Sequence, residues 1–263
     1  ASTTGCQNVA IGELALGIGV VTGCRNVAVG YRGGHNLTTG KWNVGIGNDA
    51  LLTVTTGCGN VALGLDTGGG LTTGCFNTLL GNGTGNSAIT GNSNIALGTA
   101  AMDALTSGIC NIAIGANALG ASTTGCKNIA IGELALGAGV TTGINNVAIG
   151  TTSMDALTTG ICNVAIGANA LGASTTGCLN VAIGRLAMGG ANVTGISNIA
   201  IGNASGHVLT TGKCNVALGE STLGASTTGC KNIAIGLAAL GGADVTGINN
   251  VAIGTTSMDA LTT

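Results

Sequence analysis

The chain has 263 residues, with 51 glycines, no proline, 1% aromatic residues and 6% charged residues. Ordinary soluble folds use more aromatic and charged side chains than this. The formal net charge of -2 argues against a nucleic-acid-binding protein, because binding phosphates requires a basic stripe. Glycine also interrupts the apolar residues so often that no stretch is long enough for a transmembrane helix.

An asparagine recurs at intervals of 17 or 18 residues and opens the motif N-[VI]-A-[ILV]-G, first between Asn8 and Gly12. This period is too short for a pair of helices, and β-branched residues at alternate positions are typical of strands. We therefore predict an all-β fold, a β-solenoid of about 15 coils of 17–18 residues. The recurring asparagines, called the Asn column below, are Asn8, Asn26, Asn43, Asn60, Asn77, Asn94, Asn111, Asn128, Asn146, Asn163, Asn180, Asn198, Asn215, Asn232 and Asn250.

We interpret the Asn column as a structural ladder. Amides that stack at a corner of successive coils can hydrogen-bond both their own turn and the next one. Glycosylation is the alternative role for these residues. However, the triplet Asn8-Val9-Ala10 lacks the Ser or Thr that an acceptor site requires at its third position, and so do the equivalent triplets.

A longer repeat is superimposed on the coils. The first cysteine of each cysteine pair recurs 52 residues after the previous one, which corresponds to three coils, so five such units fill 260 residues. Residues 143–159 and 247–263 are identical in sequence. We therefore predict a single continuous β-solenoid over residues 1–263, which is a processed product, a window of a longer repeat array or a polymerising subunit.

Strand side chains alternate between two faces, so each column can be assigned to a face. The positions one and three after the asparagine hold Val, Ile or Leu, as in Val29 and Ile46, and are predicted to form the inner wall. The alanine between them is predicted to point outward and to be covered by lateral association. A later column of Leu or Met, such as Leu16 and Met102, is predicted to point inward. In the Thr-Thr-Gly segment the second position is Thr in fourteen coils and Ser107 in one, which predicts an outward Thr ladder.

The cysteines form pairs whose members lie 16 to 18 residues apart, in successive coils. Strand spacing places the paired Cα atoms about 5 to 6 Å apart, which suits a disulfide. Closing a loop of about 16 residues would contribute roughly 3 kcal/mol. The predicted disulfide pairs are Cys6 with Cys24, Cys58 with Cys75, Cys110 with Cys126, Cys162 with Cys178, and Cys214 with Cys230.

A row of reduced, buried thiols is the alternative to these disulfides, because Ile109, Ile144 and Ile161 occupy the position equivalent to Cys126. A metal site is not expected, since zinc needs four converging ligands and no histidine lies near the cysteines. Disulfides would indicate maturation outside a reducing cytosol. We therefore expect an extracellular location or a cell or virion surface.

Aromatic residues and histidines are few. The aromatic residues Tyr31, Trp42 and Phe76 all fall in coils two to five and could form a small recognition patch, because exposed aromatic side chains are favoured at binding surfaces. Alternatively, these aromatic side chains could fill a gap in a lateral contact or cover a corner of a coil. The histidines, His35 and His207, lie ten coils apart and cannot share a site within the chain. No catalytic residue and no cofactor is predicted, and we do not expect an enzyme.

The strand Asn-Val-Ala-Ile-Gly with a following Ala-Leu resembles the head repeats of trimeric autotransporter adhesins and similar repeats in phage and viral fibres. This resemblance implies a left-handed β-roll, subunits that pack side by side through small residues, and surface display for attachment. The Ile-Gly, Leu-Gly and Thr-Gly steps also resemble the hexapeptide left-handed β-helix of acyltransferases. Activity of that class would need a histidine at a subunit interface, for which His35 or His207 could serve.

Three functional classes follow from these patterns. The first is a non-enzymatic structural protein that forms an extracellular filament or a surface or viral fibre. Its partner would be further copies of itself, since an uncapped stack exposes pairing edges. The second is an ice-binding solenoid, in which a regular Thr ladder on a flat sheet orders water. The third is a hexapeptide-repeat, acyltransferase-like protein. Neither a nucleic acid nor a membrane span is expected, and a surface or glycan ligand is not identified by any motif.

Overall fold

The computed structural model describes residues 4–17 and 20–262. The described residues form fifteen strands of three residues each and no α-helix, which confirms the all-β solenoid prediction. The strands are β1 (Val9–Ile11), β2 (Val27–Val29), β3 (Val44–Ile46), β4 (Val61–Leu63), β5 (Thr78–Leu80), β6 (Ile95–Leu97), β7 (Ile112–Ile114), β8 (Ile129–Ile131), β9 (Val147–Ile149), β10 (Val164–Ile166), β11 (Val181–Ile183), β12 (Ile199–Ile201), β13 (Val216–Leu218), β14 (Ile233–Ile235) and β15 (Val251–Ile253).

The chain divides into two compact units, unit 1 over residues 1–127 and unit 2 over residues 128–263. Unit 1 contains β1 to β7 and unit 2 contains β8 to β15. Within each unit, consecutive strands pair in parallel with equivalent residues opposite each other, as Val9 with Val27 and Val147 with Val164. Each coil therefore lies directly above the preceding one. The grouping into 52-residue units and the single continuous solenoid stay predictions.

Every strand ends at the glycine that closes the Asn-x-Ala-x-Gly motif. The φ angle of this glycine lies between 123° and 141° in all fifteen coils, a conformation that side chains other than hydrogen rarely allow. The adjacent coil also approaches closely: a Cβ added to Gly132 would lie 2.6 Å from the carbonyl oxygen of Gly150. A larger residue would collide with the next coil, so the strands stop after three residues and the chain turns.

The predicted facing of the strand residues is wrong. The central alanines point into the solenoid, where Ala62 and Ala130 are both 0% exposed. The flanking residues point outward, and Ile166 and Ile201 are 37% and 39% exposed. The outward wall of each unit is therefore made of Val, Ile and Leu rather than alanine.

The narrow interior explains this reversal. The predicted inward column of Leu and Met does lie inside, where Leu51 and Met154 are at most 1% exposed, and it faces the central strand residues. At Gly45, which replaces the central alanine of β3, an added Cβ would already contact Leu51 Cδ1 at 3.4 Å and the Ala50 carbonyl oxygen at 3.2 Å. There is space for one methyl group at this position, so the β-branched neighbours must point to solvent.

Candidate functional site

Each unit has an outward row of aliphatic residues along its strands, which we call the aliphatic wall. It consists of the first and third residues of every strand, and β5 alone contributes a polar residue, Thr78. In unit 2 the wall takes two aliphatic residues from each of eight strands. Monomeric proteins rarely expose contiguous apolar patches of more than a few hundred Å². The wall is therefore a candidate interaction surface.

The two edges of the aliphatic wall carry charges of opposite sign. Exposed basic residues occupy the position just before the asparagine, such as Lys127 in unit 1 and Lys231 in unit 2. Exposed acidic residues follow the end of the strand on the other edge, such as Glu13 in unit 1 and Glu220 in unit 2. Arg185 is an exception on the acidic edge. The wall thus has a sparse basic rim of Arg25, Lys127 and Lys231 and a sparse acidic rim of Glu13, Glu133 and Glu220, and neither was anticipated from the sequence.

A second surface is the Thr column, formed by the second residue of each Thr-Thr-Gly segment. This residue is exposed in all fifteen coils, in agreement with the predicted Thr ladder. The hydroxyl of the preceding Thr is tied to the next coil, as Thr38 Oγ1 donates to the Thr55 carbonyl at 3.1 Å and Thr158 Oγ1 donates to the Thr175 carbonyl at 3.0 Å. Four column members, Thr22, Thr90, Thr142 and Thr246, themselves donate to a carbonyl of the next coil at 3.1 to 3.5 Å. The hydroxyls of Thr56 and Thr73 are exposed and available to water.

The Asn column lines one corner of the interior of each unit. From Asn26 to Asn232 its described members are at most 2% exposed. Each Oδ1 accepts the backbone N–H of the next asparagine, as between Asn43 and Asn26 at 2.9 Å. The Nδ2 atoms donate to the carbonyl of the glycine three residues before the next asparagine, as from Asn43 to Gly57 at 2.8 Å. These amides are hydrogen-bonded within the protein and therefore offer no binding surface.

All ten cysteines, which lie in the described part of the chain, are free thiols rather than disulfides. Two of the predicted pairs are in register, two residues before the asparagine of successive coils. Cys6 Sγ lies 2.6 Å from Cys24 Sγ, and Cys58 Sγ lies 2.8 Å from Cys75 Sγ. A disulfide at either of these two pairs would require no shift in the register of the coils. Both disulfides stay predictions.

The other three cysteine pairs are offset by one residue. Leu179 N donates to the Ile161 carbonyl at 3.0 Å, a register that places Cys178 opposite Ile161 rather than opposite Cys162. The same offset separates Cys110 from Cys126 and Cys214 from Cys230. The offset arises because the first cysteine of each of these pairs stands one and the second two positions before the asparagine, and the three predicted disulfides stay predictions.

The three aromatic residues do not form one cluster. Trp42 and Phe76 share the column just before the asparagine, where they are 52% and 64% exposed. Gly59 lies between them in that column, and an added Cβ there would lie 2.7 Å from Phe76 Cδ1, so the Phe76 ring covers this glycine. Tyr31 lies five positions after its coil asparagine, on another part of the coil. A recognition patch could include Trp42 and Phe76, but Tyr31 is separate from them.

Tyr31 belongs to a small charged cluster in unit 1 that the sequence did not reveal. Arg32 Nε and Nη2 each donate to a carboxylate oxygen of Asp49 at 2.7 Å. Arg32 Cζ also lies 5.0 Å from the centre of the Tyr31 ring. The hydrogen bond to Asp49 raises the pKa of Arg32 above its ordinary value. This cluster ties adjacent coils together.

The histidines occupy equivalent positions, one in each unit, and are half-buried. His35 Nδ1 lies 3.1 Å from Asn36 Oδ1, and His207 Nδ1 lies 3.3 Å from the Leu186 carbonyl oxygen. The His35 ring packs where a side chain on Gly17 would otherwise stand. Within the described ranges, no group of three or more His, Cys, Asp or Glu could hold a metal ion. The same residues include no helix that could cross a membrane.

Comparison of the chain with family models, with curated proteins and with solved structures finds no match.

Proposed function

We propose that the chain is a non-enzymatic structural protein that builds an extracellular filament or a surface or viral fibre by packing against further copies of itself. The observation that carries this proposal is the aliphatic wall. Its residues are neither buried inside the unit nor diluted by charged side chains along the strands. Covering such a surface with a matching one removes apolar area from water and stabilises the assembly.

The charged rims favour a second copy over an unrelated partner. If two walls face each other with their strands antiparallel and their solenoid axes parallel, the basic rim of one copy meets the acidic rim of the other. Lys231 and Glu220 illustrate the two rims in unit 2. With the solenoid axes antiparallel, like charges would meet instead, which costs several kcal/mol. Rim charges therefore support a defined parallel arrangement.

The proposal is tested by adding charge to the wall. Replacing Val164 and Ile166 of β10 with lysine should weaken self-association at least ~100-fold, because two unpaired charges would enter an apolar interface. Sedimentation equilibrium and electron microscopy measure the assembly. Circular dichroism should show that both variant and parent keep the same fold, since these side chains already point to solvent.

A matched control places the same two charges on the Thr column of unit 2, as Thr159→Lys with Thr176→Lys. This control should assemble like the parent protein. Monodisperse monomers of the parent at high concentration would count against self-assembly. Equal loss of assembly in the wall variant and in the control would show that the wall is not the contact surface.

A second candidate function, ice binding, is favoured by one observation, the exposure of the Thr column in every coil. The regular spacing of Thr56 and Thr73 presents a hydroxyl and a methyl group at each step of the stack, about 4.8 Å apart by strand spacing. Thermal hysteresis of the purified protein should then be measurable and should fall when Thr39, Thr56 and Thr73 are replaced by lysine. Absence of thermal hysteresis in the parent protein removes this function and leaves the structural role.

A further inference from the structure

An open pocket of about 210 Å³ in unit 1 brings two thiols, two cations and an aromatic ring together. Its lining residues are Cys6, Cys24, Arg25, Lys41 and Trp42. The residues come from three successive coils, and the in-register stacking of the coils places the two sulfur atoms 2.6 Å apart. Arg25 Nε donates to Gln7 Oε1 at 2.9 Å, which holds the guanidinium beside the thiols.

The two thiols are not equivalent. The thiol and the backbone N–H of Cys6 both donate to Cys24 Sγ, at 2.6 and 3.2 Å. These two bonds lower the pKa of Cys24, and Lys41 and Arg25 lower it further. The same thiol–thiol bond raises the pKa of Cys6. Cys24 is therefore the better thiolate, while Cys6 retains its proton as a second, resolving thiol.

We propose that Cys6 and Cys24 form a redox-active dithiol that exchanges with small disulfides carrying carboxylate groups. The inference does not depend on the proposed assembly, because none of the pocket residues belongs to the aliphatic wall. It differs from a structural cross-link because Cys6 is exposed and Cys24 only half-buried, so a small molecule can reach both sulfur atoms.

The exchange proceeds in two balanced steps. The Cys24 thiolate attacks one sulfur of the substrate disulfide, forms a mixed disulfide and releases the other half of the substrate as a thiolate. Cys6 then loses its proton to water or to the released thiolate, and its sulfur attacks Cys24 Sγ. This step forms the Cys6–Cys24 disulfide and releases the second half of the substrate. The dithiol loses two electrons, and the substrate disulfide gains them to become two thiols.

The cations and the aromatic ring select the substrate. Arg25 and Lys41 attract carboxylates and raise their local concentration near Cys24. The exposed face of Trp42, 52% accessible, offers an apolar surface for the rest of the molecule. A disulfide with acidic groups fits this environment better than a neutral or cationic one.

Two other cysteines serve as controls within the same chain. Cys126 and Cys230 occupy the same column as Cys24, and each is followed by a lysine, as Cys24 is followed by Arg25. Neither faces a cysteine, since Cys126 Sγ accepts from Ile109 N at 3.5 Å and Cys230 Sγ accepts from Lys213 N at 3.3 Å. They share the adjacent cation but lack the resolving thiol and the pocket.

The test follows the reaction of the fully reduced, full-length protein with DTNB, a dianionic aromatic disulfide, and locates each product by peptide mass mapping. We expect Cys24 to react at least ~10-fold faster than Cys126 and Cys230. The parent should end with a Cys6–Cys24 disulfide and two released thiolates for this pair. Cys6→Ser should stop at the mixed disulfide on Cys24 with one released thiolate, and Cys24→Ser should abolish the fast phase.

A charge variant tests the substrate class. Arg25→Gln with Lys41→Met should slow the reaction with DTNB about 10-fold and should not slow the reaction with cystamine, a dicationic disulfide. Cys126→Ser is the matched control and should leave the fast phase unchanged. Equal reactivity of Cys24, Cys126 and Cys230, or stable separate mixed disulfides on Cys6 and Cys24 in the parent, would overturn the redox-active dithiol. Equal slowing with both reagents would overturn the preference for anionic disulfides.

Discussion

Replacing Asn60 with alanine is expected to destabilise the protein by about 3–5 kcal/mol, because buried partners are left without hydrogen bonds. Asn60 Oδ1 accepts from Asn77 N at 3.0 Å, and Asn60 Nδ2 donates to the Gly74 carbonyl at 2.8 Å. Both partners are buried and cannot turn to water. Denaturant unfolding measures the loss, and hydrogen exchange should show the Asn77 N–H becoming less protected.

Asn48→Ala is the matched control, since Asn48 lies in the same unit but is exposed. It should change the free energy of unfolding by no more than about 0.5 kcal/mol, as is usual for surface substitutions. If Asn60→Ala proved as mild as this control, the Asn column would not be the ladder that joins the coils.

Leu79 and Gly85 are expected to behave as a coupled pair. Leu79 stands where thirteen coils have the inward alanine, and Gly85 stands in a column that holds Leu or Met in eleven coils and glycine also at Gly34, Gly68 and Gly206. A Cβ added to Gly85 would lie 3.1 Å from Leu79 Cδ1 and 3.2 Å from Leu79 Cδ2, so the glycine makes space for the leucine. In this coil the large residue, Leu79, comes from the strand and the small one, Gly85, from the facing column.

Leu79→Ala should therefore cost about 2–5 kcal/mol by leaving a cavity. Gly85→Leu alone should cost about 1–3 kcal/mol by overpacking. Together they recreate the common arrangement, and the double variant should be more stable than the sum of the two losses predicts, by about 1–3 kcal/mol. Thermal and denaturant unfolding of the parent, the two single variants and the double variant give the free energies of unfolding from which the coupling energy is calculated.

Gly83→Ala supplies the control for this cycle. Gly83 also has a positive φ, 61°, but an added Cβ would meet nothing within 4 Å. Its effect should add to that of Leu79→Ala without coupling. Strict additivity of Leu79→Ala and Gly85→Leu would contradict the exchange of volume between the two positions.

Periodicity made the solenoid predictable, but not the facing of its strands. Alternation along a strand separates two faces without saying which one is inside. Burial propensity then favoured Val and Ile over Ala for the interior, and this choice was wrong. The opposite wall already supplies bulk through residues such as Leu51 and Met102, so the strand can bring only a methyl group. The contrast between Leu79 and Gly85 was the sequence signal that could have shown which columns face each other.

The cysteine sites were predictable in part, for a related reason. A spacing of 16 to 18 residues places two cysteines in neighbouring coils, but a shift of one residue decides whether they face each other. Cys58 and Cys75 both lie two positions before an asparagine and meet, whereas Cys162 lies one position before and does not. Pockets and rim charges are formed by residues from several coils together, so the sequence pattern of a single coil does not predict them.

The hydrogen bonds from the backbone of one column asparagine to the side chain of the previous one all run in one sense. In unit 1, Asn94 N donates to Asn77 Oδ1, and Asn111 N donates to Asn94 Oδ1, always from the later coil to the earlier one. These bonds give the column a direction, because each coil offers an asparagine Oδ1 acceptor to the later coil and a backbone N–H donor to the earlier one. A coil that extends the stack must match that sense. If copies of the chain stacked end to end through this ladder, head-to-tail addition would continue its hydrogen bonds, and the fibre would have two chemically distinct tips.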